Sequence, residues 1–175
     1  VSSASDLLLH LRPCPLTVEF EQVTYTLPAM DAVEWIALID GPLADAYDIF
    51  PTCAGRAAVE HVEDALWEGR VTVADIGKLA REAIGVAADR PWWEVLNLLS
   101  SMKGAWDIVH VNSAKGMSLA GWLDEVWSKI MAHIDPKKKA AWINDIQAPP
   151  KGSDVEIDFD AEEQAFLNAM KAVAR

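Results

Sequence analysis

Ser118-Leu119-Ala120-Gly121-Trp122-Leu123-Asp124-Glu125-Val126-Trp127-Ser128-Lys129-Ile130-Met131-Ala132-His133-Ile134 is the stretch that decides the fold. Leu119, Trp122, Leu123, Val126, Trp127, Ile130, Met131 and Ile134 recur at the three- and four-residue spacing of one broad helix face. Ser118 stands where an N-cap oxygen accepts a bond from a first-turn amide. This is the strongest periodic signal in the chain, and it predicts an amphipathic helix that must bury its stripe against other helices. Directly after it, Asp135-Pro136 reads as an N-cap followed by proline at the first helical position, opening a helix that contains Trp142 and Ile146.

Upstream the same logic repeats. Pro91 is placed to start a helix in which Trp92, Val95, Leu96 and Leu99 share a stripe. Thr72-x-x-Asp75 resembles a capping box for a helix through Ile76, Leu79, Ala80 and Ile84, although Gly77 weakens its first turns. Ala54 to Glu68 sets Val59, Val62 and Leu66 on one stripe with Glu60, Glu63 and Asp64 outside it, and Gly69 marks the stop. Leu43 to Phe50 reads as a short helix stopped by Pro51, and Ala29 to Ile39 as a buried helix ended by Gly41-Pro42. Before these, Leu16 to Phe20 and Val23 to Leu27 are β-branched, aromatic runs of alternating polarity, separated by Glu21-Gln22 and closed by Pro28. They predict a hairpin, which is only marginally stable alone and must dock on the helices or pair with another chain.

The expected fold is therefore mainly α: a compact multi-helix domain with a short N-terminal β-hairpin and a flexible acidic C-terminal tail. Residues 1–15 read as an arm, 16–148 as the hairpin and helical domain, and 149–175 as linker and tail. Ala148-Pro149-Pro150-Lys151-Gly152-Ser153 is the linker. Beyond it acids alternate with Val155, Ile157 and Phe159, and Asp160-x-x-Glu163 caps a last amphipathic helix using Phe166, Leu167 and Met170.

Charge narrows the function. With 15 Lys+Arg against 27 Asp+Glu the formal net charge is −12, which repels a phosphate backbone, so nucleic acid is not an expected partner. No stretch approaches the ~18 apolar residues of a membrane span, and the Leu7 to Leu9 run lacks the basic head of a signal peptide. Cys14 and Cys53 have neither metal-ligand spacing nor the density of a disulfide framework, which fits a reducing cytoplasm.

Chemistry-bearing motifs are sparse. Gly116-Met117-Ser118-Leu119-Ala120-Gly121 misses the G-x-S-x-G spacing by one residue and follows no strand, so Ser118 reads as a cap. His10, His61, His110 and His133 lie in separate segments without a partner at metal-ligand spacing, and His61 with Asp64 reads as a surface contact at i, i+3. The expected chain has no catalytic residue, metal site or cofactor. Eight tryptophans point instead to core and interface. Trp92, Trp122 and Trp127 lie on or beside apolar faces. Trp93, flanked by Asn97 and Ser100, and Trp35, beside Asp31, sit at helix margins where tryptophan serves as an interface anchor. Trp93 with Phe159, Phe166 and Leu167 of the tail are the candidate partner-binding residues.

Arg90-Pro91-Trp92-Trp93-Glu94, Gly104-Ala105-Trp106-Asp107, Ser118-Leu119-Ala120-Gly121-Trp122-Leu123-Asp124 and Ala148-Pro149-Pro150 follow one another in an order and spacing that resembles the tail assembly chaperones of long-tailed, siphophage-type actinobacterial phages. The resemblance is specific over about residues 89–150, weaker upstream, and absent beyond Pro150. Trp127 stands where that pattern has tyrosine, a change that keeps the aromatic role. The resemblance implies a non-enzymatic factor in the cytoplasm of the infected cell. Such a factor binds the tape measure protein, keeps that long helical chain soluble, helps recruit tail tube subunits and is absent from the mature virion. In many such phages a programmed frameshift yields a longer product as well. It carries over no catalytic or metal residue, and self-association is compatible with it. Two other readings stand beside it: a structural tail or connector subunit that uses the hairpin edge, and a small hydrolase assembled from distant acids with His61 or His133.

Overall fold

The β1 strand, Leu16–Phe20, pairs antiparallel with β2, Val23–Leu27, in the register Leu16 to Leu27 and Phe20 to Val23. Only Glu21 and Gln22 lie between them, both in the left-handed region at φ 47° and 67°. A two-residue turn with two positive φ values matches the right-handed twist of the strands, which is why so short a connection works here. The structure, a computed structural model, describes residues 11–40, 49–102 and 114–150.

Seven helices follow among the described residues: α1 Ala32–Asp40, α2 Ile49–Ala54, α3 Arg56–Trp67, α4 Val73–Ala88, α5 Trp92–Met102, α6 Leu119–His133 and α7 Pro136–Gln147. The fold is mainly helical with a two-stranded N-terminal hairpin, as the periodicity predicts. The tail expected beyond Pro150, including Phe159, Phe166 and Leu167, lies outside the described residues, as do Gly41-Pro42 and Trp106.

Local chemistry sets most helix ends. Thr72 and Asp75 form the reciprocal capping box at the start of α4, and the helix runs unbroken through buried Gly77. Ser118 Oγ accepts from the Gly121 amide at 3.1 Å, and Asp135 Oδ1 from the Lys137 amide at 2.9 Å. α3 ends in a Schellman turn: Gly69, at φ 67°, donates to Leu66 O at 3.1 Å and Arg70 donates to Ala65 O at 2.9 Å. Two ends differ from expectation. α1 starts at Ala32 rather than Ala29, because Asp31 and Glu34 form a second capping box, with amide-to-carboxylate distances of 2.8 and 3.1 Å. Pro51, expected as a stop, sits in the first turn of α2, where the missing N–H has no intrahelical acceptor to leave empty.

One core cluster runs from Phe20 and Leu27 of the hairpin through Phe50, Ile84 and Val95 to Trp122, Leu123 and Ile146. Along α5 the buried row is Val95, Leu98, Leu99 and Met102, while Trp92 and Leu96 are half-buried, so the helix is rotated from the stripe read in the sequence. Trp35 is a correction of larger meaning. It is 3% exposed, a core ring of α1 rather than a marginal anchor. Cys53 is buried too, its Sγ 3.8 Å from Met30 Sδ, and burial pushes its thiol pKa up to about 11.

Asp31 does more than cap. Its second oxygen accepts from the Gly116 amide at 2.9 Å, and Ala32 donates to Met117 O at 2.9 Å, so the start of α1 is stitched to the turn before α6. Partial burial is the largest single influence on the Asp31 carboxyl and would raise its pKa. The amides of Gly116, Glu34 and Val33, with Lys115 nearby, together outweigh it and hold the group below its ordinary 3.8. A carboxylate whose folded pKa is depressed stabilises the fold above its unfolded pKa, and that contribution is lost as pH falls through the folded one. Asp31→Ala is therefore expected to cost about 1–2 kcal/mol at neutral pH. The gap to wild type should close in denaturant titrations run downward from pH 3.8.

Candidate functional site

The hairpin tip is held by side chains from three segments. His61, on α3, packs edge-to-face with Phe20 at a centroid distance of 4.9 Å. Its Nε2 lies 2.9 Å from Glu21 Oε2, which can only accept, so this nitrogen carries a proton. Nδ1, 2.8 Å from the Tyr25 hydroxyl, then accepts in the neutral ring. The Glu21 carboxylate also receives Arg70 from the turn after α3, and Arg70 Nε donates to Glu68 Oε2 at 2.6 Å. His61 thus joins Glu21 and Tyr25, residues 40 and 36 positions away, instead of the surface contact with Asp64 read from helix spacing. A histidine between a carboxylate and a hydroxyl has the parts of a proton relay. Here both ring nitrogens are taken up in docking the hairpin, and neither of the two clefts described below is lined by these residues.

A second constellation closes the other end. Asn97 Nδ2 donates to Ile146 O and Ala148 O, each at 3.0 Å, and Trp93 Nε1 donates to Gln147 O at 3.3 Å. The last carbonyls of α7 have no intrahelical donors, so α5 supplies them. Trp93 is half-buried and stands edge-on to Trp92 at 5.8 Å, with Arg81 over the Trp92 ring at 5.2 Å. The sequence-nominated anchor therefore spends its N–H inside the molecule and leaves part of its ring at the surface, beside Ala148-Pro149-Pro150. Asn97→Leu, which keeps the volume and removes the donors, should cost about 1–2 kcal/mol. It should show as a lower melting temperature and faster amide exchange in the last turn of α7.

Two surface clefts are formed by described residues. One, of about 300 Å³, is lined by Asp89, Arg90, Glu94, Asp124, Trp127 and Gln147, with Arg90 bonded to Asp124 at 2.5 Å across it. The other, of about 220 Å³, has an apolar floor of Leu16, Val18, Leu79, Ala83 and Val86 between β1 and α4. Among the described residues no group of three or more His, Cys, Asp or Glu is placed to hold a metal, and no helix is long and apolar enough to cross a membrane. His133 Nδ1 donates to Lys129 O within its own helix at 2.8 Å.

Trp67 stands apart. At the last residue of α3 it is 92% exposed, while the other described tryptophans are buried or half-buried. Its position could have been read in the sequence. Trp67 follows Glu63 and Asp64 by four and three residues, which puts it on the polar face those acids define. No family model matches the chain, and neither does any curated protein or solved structure. What the chain does must therefore be argued from its own residues.

Proposed function

We propose that this chain is a phage tail assembly chaperone, acting in the host cytoplasm, that binds the tape measure protein, keeps it soluble and helps recruit tail tube subunits. The observation that carries the reading is the ordered set of motifs over residues 89–150, together with how they pack. Arg90 of the first motif bonds Asp124 of the third, and Trp93 bonds Gln147 next to the closing Ala148-Pro149-Pro150. These contacts, which tie the first motif to the third and to the closing one, support the reading. Excess negative charge supports the reading, since it keeps a complex loaded with an amphipathic chain in solution.

The test is co-expression of wild-type protein with a tape measure fragment that aggregates alone. The fragment should stay in the soluble fraction and co-purify. A fragment that precipitates beside abundant, folded, unbound protein would sink the proposal. A second reading, a tail or connector subunit, draws on the open edge of the two-stranded hairpin. Abundant copies in purified virions, counted by mass spectrometry, would favour that reading and exclude a transient chaperone.

A further inference from the structure

Five large hydrophobic residues are exposed among the described residues: Leu11, Val23, Trp67, Val73 and Val86. Three of them are gathered by the Glu21–Arg70 ion pair. Val23 follows Glu21 by two residues, and Trp67 and Val73 flank Arg70 at three residues on either side. Val23 thus stands two residues, and Trp67 and Val73 three residues, from a fixed contact between the hairpin turn and the turn that joins α3 to α4. The Tyr25–His61–Glu21–Arg70 chain fixes the two turns against each other, so the patch is set before a partner arrives.

The polar surroundings are mainly acidic. Glu63 and Asp64 lie one turn below Trp67 and Glu68 follows it, all exposed. The nearby cations are already engaged, Arg56 with Glu60 at 2.7 Å and Arg70 with Glu21 and Glu68. A second copy of a chain with net charge −12 is repelled from this face, and so is nucleic acid. The complementary surface is apolar and cationic.

We propose that Trp67, Val73 and Val23 form a docking surface for a basic amphipathic helix of a partner protein. Trp67 inserts between the partner's apolar side chains, while Glu63 and Asp64 meet its lysines or arginines. The inference deepens the chaperone reading and rests on it only for the partner's identity.

The full chain is labelled with fluorotryptophan, and the Trp67 fluorine resonance is assigned by its loss in Trp67→Phe. It is titrated with a Leu/Lys amphipathic peptide of about 18 residues and with the Leu/Glu peptide of the same pattern. The Trp67 resonance should shift saturably with the basic peptide and stay still with the acidic one. Trp67→Ser should weaken binding about tenfold at unchanged melting temperature, because the ring it removes is 92% exposed. Equal response to both peptides, or an affinity of Trp67→Ser within about twofold of wild type, overturns the surface. The co-expression assay separates the two proposals. If wild type and Trp67→Ser hold the tape measure fragment equally and bind the basic peptide equally, the surface falls and the chaperone stands. If wild type fails to hold the fragment but binds the basic peptide through Trp67, the chaperone falls and the surface stands.

Discussion

Trp122→Ala is expected to lower the unfolding free energy by about 3–5 kcal/mol and the melting temperature by roughly 10–20 °C. Trp122 is fully buried on α6, among the largest side chains of the core. A large-to-small change there forfeits the transfer energy of the ring and leaves a cavity that packed helices cannot refill. The informative control is Trp122→Phe. Among the described residues the buried Trp122 Nε1–H has no hydrogen-bond partner, so the indole holds a desolvated donor that phenylalanine removes. Relief of that penalty offsets part of the lost volume, and the phenylalanine variant should fall within about 1–2 kcal/mol of wild type. A phenylalanine variant as damaged as the alanine one in urea denaturation would show that the indole N–H has a partner in solution. The site also explains its neighbour. A Cβ on Gly121 would approach Leu11 Cδ2 to 2.8 Å and Leu11 Cα to 3.4 Å, so the glycine beside Trp122 lets residue 11 cross the start of α6.

Phe50→Ala should be nearly as costly, about 3–5 kcal/mol, for a different reason. Phe50 on α2 is fully buried, with Phe20 and Tyr25 of the hairpin each at a centroid distance of 6.0 Å. It is the apolar half of the hairpin's dock, and the Tyr25–His61–Glu21 chain is the polar half. A two-stranded hairpin without its packing surface is marginal in water, so the loss should appear first as local undocking. Nuclear magnetic resonance should show the His61 ring losing its fixed environment at denaturant concentrations where α6 is still protected from exchange. A single concerted transition at all probes would refute this ordering.

These features differ in how visibly the sequence announces them. The Thr72–Asp75 box, the Ser118 cap and Asp135-Pro136 depend on residues no more than three positions apart, and each appears in the structure where its pattern stands. Asp31-x-x-Glu34 is just as local. It is overlooked when the apolar run from Ala29 is taken whole, although the box moves the helix start to Ala32. Trp67 is legible by the same arithmetic, four residues from Glu63. The hairpin dock is not: His61 meets Glu21 across 40 positions, a pairing set by how α3 lies against the turn rather than by spacing on either element. Trp35 shows the limit of reading a helix wheel alone. Asp31 beside it suggests a polar margin, but Asp31 turns to the Gly116 amide and leaves the ring to the core.

Cys53 gives the molecule a clock. The thiolate is the reactive form, and a pKa of about 11 leaves roughly one thiol in a thousand ionised at pH 8, inside a core that also excludes reagent. Exposed Cys14 reacts at once with an alkylating agent, so the slow second equivalent belongs to Cys53 alone. Its rate counts the moments when α2 parts from Met30 and the hairpin side of the core, without any label or substitution. A partner that holds the chain closed must slow that rate in proportion to its occupancy, and one that pries the chain open must quicken it.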